Sequence, residues 1–244
     1  MSRGLYVVTG SSRGIGAALV ARLAAAGHAV LGIARGAGTP APGVDHRTAD
    51  LADPAPVAAR LEAWFLAQDA TAFSDVNLLN NAGVLSRVGP IDATDSADLA
   101  NAIRVGLEAP LLLTAAFLRG TARWPMPRRV LNVSSGLGRR PMAGTASYCA
   151  AKAGLDLFTR CTALDEAPRP NGARLVSLAP GVIDTDMQVT LRSSDPDGFP
   201  DLARFNGLKA AGQLSSADDT AAQLLAYLHR PDFGAEPLAD VRDA

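Results

Sequence analysis

The sequence predicts a single α/β domain over 1–244, with a doubly wound, mostly parallel sheet of about seven strands and helices on both faces. Short apolar and β-branched runs alternate along the chain with longer segments of helical period. The short runs are apolar at every position rather than at alternate ones, as strands buried on both faces must be. A chain of 244 residues that is 48% hydrophobic and 19% charged can bury one large core, and it is too apolar for its charge to be disordered. Right-handed crossovers between such strands then give the doubly wound arrangement.

In order, a strand at 5–8 leads into a helix at 15–26, which Gly27 ends as a C-cap would. A second strand occupies 29–34, and the stretch GAGTPAPG at 36–43 is a loop by composition. A third strand precedes Asp50; a helix at 54–68 and a strand at 76–79 follow. The pattern continues with helix around 99–118, strand at 130–133, helix around 147–165 and strand at 174–178. The segment 187–213 differs in kind, because Pro196, Gly198, Pro200, Gly207 and Gly212 leave it without a sustained period. A connection of that length in a compact domain is either a substrate lid or a surface insertion.

With 23 Lys plus Arg against 24 Asp plus Glu, the net charge of -1 argues against a nucleic-acid partner or a polybasic membrane surface. The longest uncharged apolar stretch, 109–118, is half a membrane span, and the run at 5–8 is interrupted at once by Thr9 and Gly10, unlike a signal peptide. Cys149 and Cys161 stand twelve positions apart in a helical stretch, roughly 18 Å by helical rise and too far for a disulfide. These features predict a soluble, cytoplasmic protein in a reducing compartment. His28, His46 and His229 fit no metal or triad pattern, so no metal is expected. The charge is unevenly placed: the first 44 residues hold Arg3, Arg13, Arg22 and Arg35 and no acid.

Directly after the first strand comes Thr9-Gly10-Ser11-Ser12-Arg13-Gly14-Ile15-Gly16, opening the first helix. Glycines there let the backbone approach a phosphate, and the helix N-terminus attracts the anion. The spacing G-x-x-x-G-x-G differs from the commoner G-x-G-x-x-G of dinucleotide sites, but its place between strand and helix marks a dinucleotide turn. NAD sites place an acid at the end of the second strand for the ribose 2′-hydroxyl. Here that strand ends Ala34-Arg35 with no acid, and Arg35 with Arg13 makes a fork for a 2′-phosphate, so the expected cofactor is NADP(H).

Tyr148 and Lys152 are a candidate catalytic pair. Tyr148 and Lys152, at i and i+4, share a helix face, so the ammonium sits near the phenol. A nearby cation favours the phenolate and should lower the phenol pKa from its ordinary value of about 10 toward a working pH. That makes Tyr148 a usable general acid or base.

These motifs together resemble the short-chain dehydrogenase/reductase family over essentially the whole chain: the TGSSRGIG turn, Asn80-Asn81-Ala82-Gly83, Ser135 thirteen residues before Tyr148-Cys149-Ala150-Ala151-Lys152, and Pro180-Gly181-Val182-Ile183-Asp184-Thr185. The resemblance implies a Rossmann fold and an oxidoreductase. Tyr148 would protonate a substrate carbonyl as the nicotinamide delivers hydride, Ser135 would hydrogen-bond that oxygen, and Lys152 would hold the nicotinamide ribose. Gly10, Ser12, Arg13, Gly14, Ile15 and Gly16 would form the phosphate turn. By the same resemblance Asp50 and Leu51 would flank the adenine, although Asp50 also reads as a simple helix-start residue. Asn81, Ala82 and Gly83 would lie at the adenosine ribose, and Pro180, Gly181, Ile183 and Thr185 at the nicotinamide and nearby phosphate. Relatives commonly pair through the helices around 99–118 and 147–165, so a homodimer or homotetramer is expected.

One position departs from the family pattern. Gly106, in Val105-Gly106-Leu107, stands where an Asn usually accompanies a helix distortion and an ordered water of the proton relay. Glycine tolerates unusual backbone geometry and keeps its carbonyl, so activity is expected to survive and a Gly106→Asn variant to match or exceed the parent. Within the family, the run from Ala179 to Gln188 and the run from Leu208 to Leu214 look like those of sepiapterin and benzil reductases. The implied substrate is a 1,2-dicarbonyl or a side-chain ketone. Asp240 or Asp243 would anchor a pterin, or else belongs to a solvated tail. Two other readings stay open: a catalytically impaired NADP-binding sensor or partner protein, motivated by Gly106, and an NADP-dependent alcohol dehydrogenase of a secondary metabolite.

Overall fold

A computed structural model describes residues 3–243, so the extreme ends of the expected 1–244 domain, residues 1, 2 and 244, lie outside the described residues. Seven strands form one sheet: β1 (Leu5–Thr9), β2 (Ala29–Ala34), β3 (Val44–Thr48), β4 (Val76–Asn80), β5 (Arg128–Val133), β6 (Arg174–Ala179) and β7 (Leu238–Asp240), in the order β3-β2-β1-β4-β5-β6-β7. All six neighbouring pairs are parallel. The chain winds outward from β1 in both directions, so β1 and β4 diverge at their carboxyl ends, where such sheets bind ligands.

The eight α-helices are α1 (Gly14–Ala25), α2 (Pro54–Leu66), α3 (Ser96–Ile103), α4 (Ala109–Gly120), α5 (Ala146–Glu166), α6 (Asp186–Arg192), α7 (Leu202–Ala210) and α8 (Ala217–Leu228). On one face, α2 and α4 pack together over β1, β4 and β5, burying Leu61, Phe65, Leu113 and Phe117 against Val7, Leu78 and Val130. On the other, α1 and α8 bury Leu19, Leu23, Leu224 and Leu228 against Val8, Leu131 and Val176. Each of these side chains contributes about 1.5–3 kcal/mol by leaving water. Parallel strands covered on both faces explain why β1, β2 and β4 are buried at every residue.

Three elements differ from the sequence expectation, each for a physical reason. The helix expected around 99–118 starts earlier, because Asp95 caps it by accepting from Ala97 N at 2.8 Å, and it runs as one 25-residue stretch, Ser96–Gly120. That stretch is long and apolar enough to cross a membrane, yet half of it is buried, with Ala109, Leu113, Ala116 and Phe117 in the core. Inside it, Arg104–Glu108 forms a π-helical turn in which Ala109 N bonds Arg104 O. Pro110, which has no N–H to return, follows immediately. Second, segment 187–213 is not a bare loop: it holds most of α6 and all of α7, which bury Leu191, Phe199 and Phe205 with Val88 and Met142. Long-range packing rather than periodicity makes these short helices. Third, β7 is only three residues long and too short to announce itself by pattern.

Candidate functional site

The turn after β1 is shaped by two left-handed glycines, Gly10 at φ 67° and Gly14 at φ 54°. It opens α1, whose N-terminus has no side-chain cap and no acid in its first turn, leaving the positive end of the helix dipole unneutralised. Asn81, just past β4, stitches the turn from the other side. Its Nδ2 donates to Thr9 O at 2.9 Å, while Thr9 Oγ1 accepts from Asn81 N and Ala82 N, both at 3.0 Å. Gly16 faces inward: a Cβ there would stand 2.1 Å from Gly10 O, so its bareness lets α1 lie on the turn. Gly10, Ser12, Arg13, Gly14 and Ile15 line an open cleft of about 820 Å³ at the carboxyl ends of the strands, and Gly16 does not.

The same cleft runs past Arg35, exposed at the end of β2, and past Asp50 and Leu51. Asp50 also serves locally, its Oδ1 accepting from Ala52 N at 3.0 Å in the turn before α2, but the residue that starts that helix is Asp53. Arg13 Nη1 bonds Asp186 Oδ2 of α6 at 2.5 Å across the mouth. Ala82 and Gly83 lie on the floor with Asn81, and Pro180, Gly181, Ile183 and Thr185 on the far wall.

Ser135 follows β5, and Tyr148 and Lys152 come from the first two turns of α5; all three reach the cleft. Ser135 Oγ accepts from Leu137 N at 3.1 Å and caps the 3-10 turn Gly136–Gly138. Lys152 Nζ donates to Val133 O at 2.7 Å and stands 5.7 Å from the centre of the Tyr148 ring. Burial pushes the Tyr148 phenol up to about 12, against the pull of the Ser135 hydroxyl, and burial pushes the Lys152 ammonium down to about 8, against the pull of Asp156. The expected lowering of the phenol is therefore corrected: desolvation outweighs the pull of the Ser135 hydroxyl, and Tyr148 keeps its proton at neutral pH.

Asp156, one turn beyond Lys152, accepts from Ser134 Oγ at 2.5 Å, Ser177 Oγ at 2.6 Å and Arg139 Nε at 3.1 Å. It thus ties the strand end before Ser135 to the helix bearing Tyr148 and Lys152. Sequence reasoning passed over it, although its i+4 spacing from Lys152 was a usable signal. Gly106 lies in the π-helical turn and off the cleft; a Cβ there would be 3.0 Å from Ala151 Cβ. An Asn at 106 therefore presses on α5 beside Lys152, so the expected free acceptance of Gly106→Asn does not follow from this geometry.

The cleft is also walled by Leu137, Met142, Leu191 and Phe205, which pack in one cluster, and the exposed Arg140 and Arg242 line it as well. Of the two acids expected near a substrate, Asp240 is buried and held by Arg242, and Asp243 is exposed and not part of the cleft wall. The group presented to the cleft is a guanidinium, the opposite charge to the expected anchor. Among the described residues no cluster could hold a metal ion, and both thiols are free.

A family model described as short chain dehydrogenase matches residues 5–196. A benzil reductase, (S)-benzoin forming, of Bacillus cereus is 36% identical over 66% of this chain and 64% of its own length, and one of Bacillus subtilis (strain 168) is 31% identical over 93% of each. A sepiapterin reductase of Meriones unguiculatus is 32% identical over 97% of this chain and 95% of its own. Among solved structures, the KRED1-Pglu enzyme superposes with a TM-score of 0.80 at 28% identity, covering 96% of this chain and 99% of that one. The chain belongs to the short-chain dehydrogenase/reductase family, in the branch of the benzil and sepiapterin reductases, and is an oxidoreductase acting on the C=O/CH–OH couple with a nicotinamide cofactor.

Proposed function

We propose that the chain is an NADPH-dependent carbonyl reductase of a ketone or 1,2-dicarbonyl, benzil- or sepiapterin-like, with Tyr148 as general acid. The observation that carries this is the meeting of three parts in one cleft: the uncapped α1 N-terminus, the Arg13 and Arg35 side chains, and the Ser135, Tyr148 and Lys152 group. The donor set suits the cofactor. Gly10, Ser12, Gly14 and Ile15 would receive the pyrophosphate, Arg13 and Arg35 the 2′-phosphate, Asp50 and Leu51 the adenine, and Asn81, Ala82 and Gly83 the adenosine ribose. Pro180, Gly181, Ile183 and Thr185 would position the nicotinamide, which supplies the hydride when bound. The Arg13–Asp186 pair is exposed and weak in water, so a phosphate can take Arg13 from it.

The residues then divide the proton chemistry. Tyr148 Oη, protonated at neutral pH, donates to the carbonyl oxygen, and Ser135 Oγ donates a hydrogen bond to the same atom. The Lys152 ammonium stabilises the phenolate left behind and reaches the nicotinamide ribose hydroxyls. A phenol that keeps its proton at neutral pH is in the form that reduction requires, and the intact trio favours an enzyme over a silent sensor. Segment 187–213, carrying Leu191 and Phe205 onto the cleft, acts as the substrate lid. The outer face of α5, with Leu157 and Leu164 exposed, pairs copies of the chain into a homodimer or homotetramer. Two free thiols accord with a reducing cytoplasm. The test is NADPH consumption with benzil, sepiapterin and aliphatic diketones, repeated with NADH. Reduction of a dicarbonyl with preference for NADPH is expected; preference for NADH would overturn the reading of Arg13 and Arg35.

A further inference from the structure

We propose that the substrate end of the cleft selects a carbonyl compound bearing a carboxylate, held by Arg242 with Arg140 in support. The inference rests on the carbonyl-reductase reading and adds the substrate's charge to it. Asp240, buried at the end of β7, accepts from Arg242 Nε at 2.8 Å, from Nη2 at 2.5 Å and from the Arg242 backbone N at 3.0 Å. Between them, Val241 N bonds Ala179 O at 3.0 Å, so the sheet fixes where this arginine stands. One edge of its guanidinium is thereby locked, and among the described residues Nη1 has no partner. A donor oriented in advance binds an anion without first losing side-chain freedom.

Arg140 lines the same cleft, beside Gly136 and hence close to Ser135, and among the described residues it makes no ion pair or hydrogen bond. The acids nearby are already engaged: Asp184 with Lys209 and Arg192, and Asp186 with Arg13. Arg140 is left without an acid among the described residues, and Arg242 keeps Nη1 open beyond its pair with Asp240. The wall of Leu137, Met142, Leu191 and Phe205 would take an apolar or aromatic body, leaving the carboxylate on the rim.

The test compares 4-carboxybenzil with its methyl ester as substrates for NADPH oxidation, in the wild type and in Arg242→Lys, Arg242→Gln and Arg140→Gln. Arg242→Lys keeps a charge for Asp240 while losing the fork, which guards against a variant that simply misfolds. The acid is expected to exceed the ester in kcat/KM by about tenfold, one charge-assisted bond's worth, with the ratio collapsing toward one in the Arg242 variants and falling by less in Arg140→Gln. Equal use of acid and ester by the wild type overturns the proposal. So does a rise in the KM for NADPH that is the same with both substrates in Arg242→Lys, because Arg242 would then serve the cofactor. If neither compound is reduced, the carbonyl-reductase reading has failed. Calorimetric titration of 4-carboxybenzil then decides this inference alone: binding weakened about tenfold in Arg242→Lys supports it, and equal binding overturns it.

Discussion

The amino and carboxyl ends of the sheet each bury a tyrosine among basic side chains. At the amino ends Tyr6 is 1% exposed; its hydroxyl bonds His229 Nε2 at 2.8 Å, its ring lies 4.9 Å from that of His28, and Asp75 nearby is paired with Arg129. At the carboxyl ends Tyr148 is 9% exposed beside Lys152 and Ser135. Burial raises both phenols, so neither depth nor pKa separates them. The difference is that the amino-end groups satisfy one another, whereas the carboxyl-end groups open on a cleft of about 820 Å³. A reactive phenol needs a substrate-sized space as well as a charged neighbour. The sharpest way to break this comparison is to remove each hydroxyl in turn. Tyr148→Phe should cut carbonyl reduction by roughly 10²–10⁴ while leaving NADPH binding, followed by fluorescence, near the wild-type value. Tyr6→Phe should leave turnover unchanged and cost about 1 kcal/mol in denaturant unfolding, one hydrogen bond.

Cofactor selectivity comes next in size. Removing one charge-assisted contact to a 2′-phosphate costs about 1.5–3 kcal/mol, roughly ten- to a hundredfold in kcat/KM. Arg35→Ala should therefore lower the NADPH to NADH ratio by that factor. Arg13→Ala should do less, because its guanidinium is already shared with Asp186. An unchanged ratio in both variants would place the 2′-phosphate elsewhere.

Proton bookkeeping gives a third difference between the ends, since only the carboxyl end couples its tyrosine to a titrating lysine. Lys152 titrates near 8 and is a cation below that value; Tyr148 keeps its proton up to about 12. Reduction should thus be steady at neutral pH and fall about tenfold per unit above pH 8, as the ammonium is lost rather than the phenolic proton. Asp156 favours the ammonium. Asp156→Asn should shift the alkaline limb to lower pH as well as slowing turnover. A slower enzyme with an unmoved limb would reduce Asp156 to a purely structural part.

The groups visible in the sequence are those whose chemistry demands a residue type at a fixed local spacing. Gly10 and Gly14 stand at a strand-to-helix turn, Tyr148 and Lys152 share a helix face, and the acid absent at Arg35 is legible at one strand end. The parallel sheet is legible for the same reason, because strands covered on both sides are mostly apolar, with Asn77, Asn132 and Ser177 as buried exceptions. Arg140, Arg242 and Asp186 reach the cleft only through topology, from chain segments that no local spacing connects. The Tyr148 shift was misjudged because sequence shows Lys152 four residues away but not the burial that raises the phenol. Helices α6 and α7 escaped because Phe199 and Phe205 are held by Val88 and Met142, far away in the chain.

The smallest predicted effect concerns Gly106, where the family pattern and the local packing disagree. The π-helical turn Arg104–Glu108 already widens the helix, so an Asn is not needed to create the distortion. Adding one brings Cβ to 3.0 Å from Ala151 Cβ, a contact tighter than most packed side chains make, on the helix that carries Lys152. Relief requires α5 to move by a few tenths of an ångström, and such a shift of the Tyr148 and Lys152 pair costs rate without removing any group. Gly106→Asn should therefore lower kcat several-fold with the KM for NADPH unchanged. The double variant Gly106→Asn with Ala151→Gly should recover that loss, because the methyl group in the way is gone. If Gly106→Asn alone equals or exceeds the parent, the amide supplies something to the proton relay that outweighs the contact.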